Sequence, residues 1–280
     1  MNDKLGQVVK FPTKKPLGRI MAIASGKGGV GKTFVAVTLA RALSELGERV
    51  LLVDSDLGLA NVDIQLGIHP DLNLSHVMDG EATLAEAVMR IAGGSTCLGG
   101  FDLLPGSHGV SSIAELGERE VQRMGAGITA LSFSYDRILV DLSAGIGKTV
   151  LKIAADADDV LLVAVDEPAS LTDGYAFVKL VRTRNPDARI GILANRVKNK
   201  KEADRIYQSF ARACGTWLGF EPGKAGAIHE DGAVKAAIRA QMLLARHAPQ
   251  AVALGDVETI AHLVRAGSAF QTHVATAVEA

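Results

Sequence analysis

Short apolar runs alternate with longer stretches of helical periodicity along most of the chain. The runs at 20–24, 50–53, 101–104, 137–140, 159–165 and 189–194 predict strands, with a weaker one at 217–220. Apolar positions three and four residues apart predict helices at about 32–46, 84–91, 112–131, 147–156, 170–184 and 200–213. Strands that alternate with helices imply right-handed crossovers. The fold class expected is therefore α/β, a doubly wound, mainly parallel sheet. Gly47 stands where a C-terminal cap closes the first long helix. Ser170 with Asp173 suggests a capping-box start for the helix at 170–184.

The chemistry gathers after the first strand. Ser25-Gly26-Lys27-Gly28-Gly29-Val30-Gly31-Lys32-Thr33 fits the Walker A pattern from Gly26 to Thr33, between an apolar strand and a helix. Gly26, Gly28, Gly29 and Gly31 let the backbone turn tightly, so that amides around Val30 point at one phosphate group. The helix N-terminus adds its positive end. Lys32 is placed to reach the β- and γ-phosphates, and the Thr33 hydroxyl to ligate Mg²⁺.

Two other strands end in acids. Val50-Leu51-Leu52-Val53 runs into Asp54-Ser55-Asp56, and Ile138-Leu139-Val140 into Asp141. In an open α/β sheet, ligands sit beyond the carboxyl ends of the strands. Four apolar residues followed by an acid is the Walker B arrangement, so Asp141 is expected to hold Mg²⁺. Asp56 is placed to orient an attacking water, and Asp54 to arrange the groups around the metal. Guanine-specific sites carry a carboxylate two residues past an Asn-Lys pair. Here the strand at 189–194 leads into Asn195-Arg196-Val197-Lys198, with a lysine at that position, which argues against guanine.

A second lysine inside the loop, Lys27, makes the sequence Gly-Lys-Gly-Gly-Val-Gly-Lys-Thr the deviant Walker A form. On this signature the chain resembles the MinD/ParA family of P-loop ATPases. Asp54 to Asp63, Asn73 to Gly80, Asp141 to Ile146 and Glu167 to Asp173 narrow the likeness to the FlhG/FleN branch, which sets flagellar number and placement. The resemblance spans roughly residues 19–245 and implies slow hydrolysis of ATP with Mg²⁺. It also implies a homodimer formed on ATP binding, in which Lys27 reaches the partner's phosphates. Asn195 resembles the family's adenine-contacting residue. A protein partner, a flagellar regulator or GTPase, belongs to the same expectation.

Three departures bound it. Phe34, counted with the nucleotide-binding residues, stands where a small polar residue commonly adds a contact to the α-phosphate, so that contact must be lost or replaced. The arm at 1–18 holds Lys4, Lys10, Lys14 and Lys15 against Asp3 but lacks the Asp-Gln-Ala…Leu-Arg pattern that stimulates a partner GTPase. After residue 247 the only Lys or Arg is Arg265, so membrane association through the tail, usual for MinD relatives, has little electrostatic support. The organisation expected is a flexible basic arm over 1–18, a P-loop ATPase domain over 19–250, and a C-terminal helix and tail over 251–280, packed on the domain or extending from it.

Composition changes the picture only modestly. Hydrophobic residues make up 48% and aromatics 4%, which suits a sheet of Val, Ile and Leu covered on both faces. A net charge of −1 gives no global attraction to nucleic acid. Lys198, Lys200 and Lys201, and Lys235, Arg239 and Arg246, read as solvated faces, so DNA partitioning of the ParA kind is disfavoured. MinD-like division-site placement is the other alternative. Cys97 and Cys214 have no partner at metal or redox spacing, and Ser143 stands where an iron–sulfur reductase would need a second cysteine. No signal-peptide pattern is seen, so the location expected is cytoplasmic, or peripheral at the inner membrane or cell pole.

Overall fold

The computed structural model describes residues 17–56, 61–91, 100–107 and 118–274. The arm at 1–16, Cys97 and the stretch 112–117 of a predicted helix lie outside the described residues. The strands are β1 (Arg19–Ala24), β2 (Val50–Asp54), β3 (Met89–Ile91), β4 (Phe101–Leu104), β5 (Arg137–Asp141), β6 (Asp159–Ala164), β7 (Ile190–Val197), β8 (Phe220–Glu221), β9 (Gly223–His229) and β10 (His273–Val274). Between them run α1 (Lys32–Glu45), α2 (Val62–Leu66), α3 (Leu74–Met78), α4 (Leu84–Ala87), α5 (Glu118–Leu131), α6 (Lys148–Asp156), α7 (Pro168–Arg184), α8 (Lys200–Leu218), α9 (Gly232–Arg239), α10 (Leu244–His247) and α11 (Val252–Ala266).

Eight strands form one sheet in the order β3-β4-β2-β5-β1-β6-β7-β9, and every pair is parallel except β3 with β4. The predicted fold class is therefore observed. Alternation along the strands builds two cores. Met21, Ile23, Leu52, Leu139, Leu161 and Leu193 face α1 and α11, whereas Ala22, Leu51, Val53, Ile138, Val140, Leu162 and Ile192 face the layer of α5 to α8. With both faces covered, the strands read as unbroken apolar runs, which is why they were visible in the sequence.

Three expectations are corrected. The helix at 84–91 is only α4, opened by the reciprocal Thr83–Glu86 capping box and stopped where Val88 turns extended. Met89 to Ile91 then alternate as an antiparallel edge strand, with Arg90 outside, paired to Asp102. The weak strand at 217–220 fails because α8 continues to Leu218 and ends at left-handed Gly219. The eighth strand of the sheet is β9, whose Gly-Lys-Ala-Gly-Ala-Ile-His has too little apolar bulk to stand out. The helix expected from Ser170 starts instead at Pro168. The Ser170 hydroxyl is buried and accepts from the Val165 amide at 3.1 Å, so no capping box forms there.

The tail segment folds back. Val257, Ile260 and Val264 of α11 are buried in the core against α1 and β9, so this stripe is spent on packing. Among the described residues no helix is long and apolar enough to cross a membrane. Cys214 is buried in the opposite core. On that side α7 and α8 close up at Gly174, where an added Cβ would lie 2.7 Å from Cζ of Phe210. Gly174→Ala should therefore lower the unfolding free energy by about 1–3 kcal/mol in urea titrations. Pairing it with Phe210→Leu should return part of that loss, and strictly additive effects of the two changes would count against the contact.

Candidate nucleotide-binding site

The loop after β1 is shaped by what crowds it. Gly29 and Gly31 have φ of +76° and +94°, the left-handed region that glycine enters without strain. At Gly26 a side chain would collide with the backbone of Asp173 and Gly174 in α7. At Gly31 it would meet Nδ2 of Asn195 at 2.5 Å. That same amide donates to the Val30 carbonyl at 2.7 Å, while Asn195 Oδ1 accepts from the Arg196 amide at 2.9 Å. Asn195 was expected at the base; in the structure its side-chain amide holds the loop's own backbone. The Ser25 hydroxyl donates to the Lys27 carbonyl at 2.7 Å.

Lys32, Thr33 and Phe34 form the first turn of α1, where amides lack intrahelical acceptors. The Phe34 side chain is buried in the core beside Val35 and Leu39, leaving only its amide on the loop side. Gly28 and Val30 complete the cradle; Val30 is buried, and the nearest atom to a Cβ at Gly28 is that of Ala144, 3.9 Å away.

Beside this cradle the sheet register sets Asp54 of β2 directly against Asp141 of β5. Both are buried. Asp54 Oδ1 accepts from the Asp56 amide at 3.1 Å, and Oδ2 accepts from the amides of Asn61 and Val62, each at 3.1 Å. Burial nonetheless pushes the Asp54 carboxyl up to about 6. Asp141 is pushed up to about 7, first by burial and then by Asp54, against the opposing pull of Lys32 and the Thr33 hydroxyl. Among the described residues its buried Oδ1 has no hydrogen-bond partner. The Lys32 ammonium is pushed down by burial, opposed by Asp141, Asp56 and Asp54.

These charges have left water without enough partners, and a divalent cation would supply what they lack. Mg²⁺ is commonly held by one or two carboxylates plus substrate phosphates. The orphan oxygen of Asp141, the Thr33 hydroxyl and the neighbouring Asp54 fit that pattern. Asp56 is less buried, and its amide is tied to Asp54.

Lys27 stands apart from this cluster. Its Nζ pairs with Oε2 of Glu167 at 2.7 Å within the same chain, and the two side chains are 43% and 46% exposed. The pair holds the Glu167 carboxyl below its usual range. Glu167 caps α7, one residue before Pro168 at the first helical position. Sequence reasoning gave no role to Glu167, Ser25 or the Asp173–Gly174 backbone. The sequence placed this helix start at Ser170, and only the fold brings Glu167 to Lys27. Arg196, exposed and left-handed at φ +58°, sits at an irregularity where β7 meets β9.

Comparison with known proteins follows the same lines. Residues 21–244 match the model of the CobQ/CobB/MinD/ParA nucleotide binding domain. The chain is 33% identical to the antiactivator FleN of Pseudomonas aeruginosa over 246 residues, 88% of this chain and 86% of that protein. With the flagellum site-determining protein YlxH of Helicobacter pylori it shares 32% over 247 residues, 88% of this chain and 81% of the relative. The septum site-determining protein MinD of Pyrococcus horikoshii, solved with Mg-ADP, matches with a TM-score of 0.72 at 24% identity, over 89% of this chain and 96% of that one; this last likeness shows the fold. The flagellar branch read from the sequence is the one that FleN and YlxH represent.

Asn195→Ala leaves the buried Val30 carbonyl without its donor. We expect a loss of about 1–3 kcal/mol in stability and faster hydrogen exchange at the loop amides. Exchange at the parent rate would show that the bond does not position the loop.

Proposed function

Because this chain belongs to the CobQ/CobB/MinD/ParA family of nucleotide-binding ATPases, we propose that it is an ATP-driven dimerising switch whose slow hydrolysis controls the number or placement of flagella. The observation that carries this reading is the site itself: a glycine cradle with Lys32 on one side and two buried acids on the other, in a chain whose relatives are flagellar along most of its length. The cradle amides from Gly28 to Phe34 and the Lys32 ammonium hold the phosphates. Asn195 holds the loop in the shape that receives them and borders the base. Thr33 and Asp141 hold Mg²⁺, with Asp54 arranging the loop beside it. When bound, the metal neutralises charge developing on the phosphate oxygens. Asp56, tied by its amide to Asp54, orients the attacking water.

Lys27 is the residue that a second copy completes. In the monomer its charge rests on Glu167 at a solvated surface, where an ion pair is screened and weak. Exchanging that carboxylate for the partner's phosphates gives up little and gains a dense anion in a dry interface. ATP therefore favours the pair, and hydrolysis dissolves it. Turnover without a stimulator should be on the order of 10⁻³–10⁻² s⁻¹, as in other phosphate-switch proteins. One relative is named an antiactivator, and by analogy the partner read out by the dimer is a protein regulator of flagellar assembly.

Lys27→Ala should keep ATP binding while losing hydrolysis and ATP-dependent pairing, read by light scattering with and without nucleotide. Cells carrying it should show altered flagellar number or position by electron microscopy. Pairing that persists in this variant removes the role given to Lys27. Asp56→Ala should slow hydrolysis by about 10²–10⁴-fold and accumulate the ATP-bound dimer; normal turnover would show that Asp56 does not orient the water.

A further inference from the structure

Away from the nucleotide site, α2, α9 and α10 meet in a surface unlike the rest of the molecule. Between Gly232 and Gly255 the chain carries Lys235, Arg239, Arg246 and His247 and not one Asp or Glu. Lys235, Ile238 and Arg239 lie at helical spacing on one face of α9 and are exposed. Among the described residues, none of Lys235, Arg239 or Arg246 has an ion-pair partner, whereas Arg41, Arg49, Arg137, Arg205 and Lys224 elsewhere are paired.

Apolar groups lie among these cations. Ile64 of α2 is 52% exposed, Ile238 39% and Met242 37%. Next to them opens a groove of about 170 Å³ walled by Leu66, Ile68, Met89 and Met242, with Arg246 at its edge. The walls are fixed. Gln241, left-handed at φ +52°, donates from Nε2 to the Ile64 carbonyl at 3.1 Å, and its Cβ packs over Gly67. This clamps α2 to the end of α9.

We propose that this surface docks an acidic amphipathic segment of a partner protein, with an apolar side chain in the groove and carboxylates on Arg239, Arg246 and Lys235. Charge selects the partner, since cations without an ion-pair partner, on a stretch that carries no acid of its own, attract a segment rich in Asp and Glu. Concavity selects a protein, because a groove with rigid apolar walls receives a protruding side chain. Nucleic acid has no use for Ile64, Ile238 and Met242, and a bilayer calls for a convex ridge. The proposal stands on this surface alone and not on the nucleotide reading.

The test uses the full chain and labelled short helical peptides with a Leu/Phe stripe, flanked by Glu in one version and Lys in the other, measured by fluorescence anisotropy. The Glu peptide should bind, more tightly at low salt, and the Lys peptide should not. Arg239→Glu/Arg246→Glu should weaken binding about tenfold or more. Ile238→Ser/Met242→Ser should also weaken it but keep the salt dependence. ATP hydrolysis and thermal melting report that the variants fold. Equal binding of both peptides, or parent-like binding by the charge-reversed variant, overturns the proposal. So does capture of duplex DNA or anionic vesicles, in preference to the Glu peptide, by the parent but not by the variants.

Discussion

Charge balance in a dry place governs this molecule. The register of two parallel strands brings Asp54 and Asp141 side by side where water is largely excluded, and an isolated buried carboxylate is too costly to stay ionised. Three backbone amides on Asp54 and the ammonium of Lys32 offset part of that cost. The remainder shows as two carboxyls whose affinity for protons is raised toward neutral pH, and as an oxygen of Asp141 that no described group satisfies. A pocket of this kind is incomplete by construction. What completes it must bring positive charge to the acids and negative charge to the lysine and the cradle, which is what a metal-bound polyphosphate does.

The scaffold serves that requirement at short range. Strand ends deliver the acids, a helix start delivers the amides, and Asn195 fixes the turn between them from β7, two strands away in the sheet. By contrast, Lys27 and Glu167 meet at the surface, where solvent competes with both. The site therefore contains one set of charges that cannot be left unmatched and one that is readily exchanged. A switch of the kind proposed needs both: the first to make binding matter, the second to let it change something.

The sequence made the first set legible because its chemistry is local. The loop announces itself by glycines and lysines within one turn of chain, and apolar strands running into acids place Asp54, Asp56 and Asp141 at one edge without any three-dimensional information. The rest depends on partners far away. Glu167 is 140 positions from Lys27. Asn195 could be read as a base contact, but its bond to Val30 appears only when β7 and the loop are folded together. β9 was invisible because its environment, not its side chains, makes it a strand. The short edge strand after α4 was hidden in a pattern that fits helix and strand equally over so few residues.

The closeness of the loop to α7, and of α7 to α8, has a further effect on how such a chain can drift. Positions 26, 174 and 210 form a stack in which backbone touches backbone and then an aromatic ring. Volume added at 174 can be removed at 210, but at 26 it meets main chain that no side-chain change takes away. Sequences descending from this one can therefore vary 174 and 210 only in concert, and can hardly vary 26 at all.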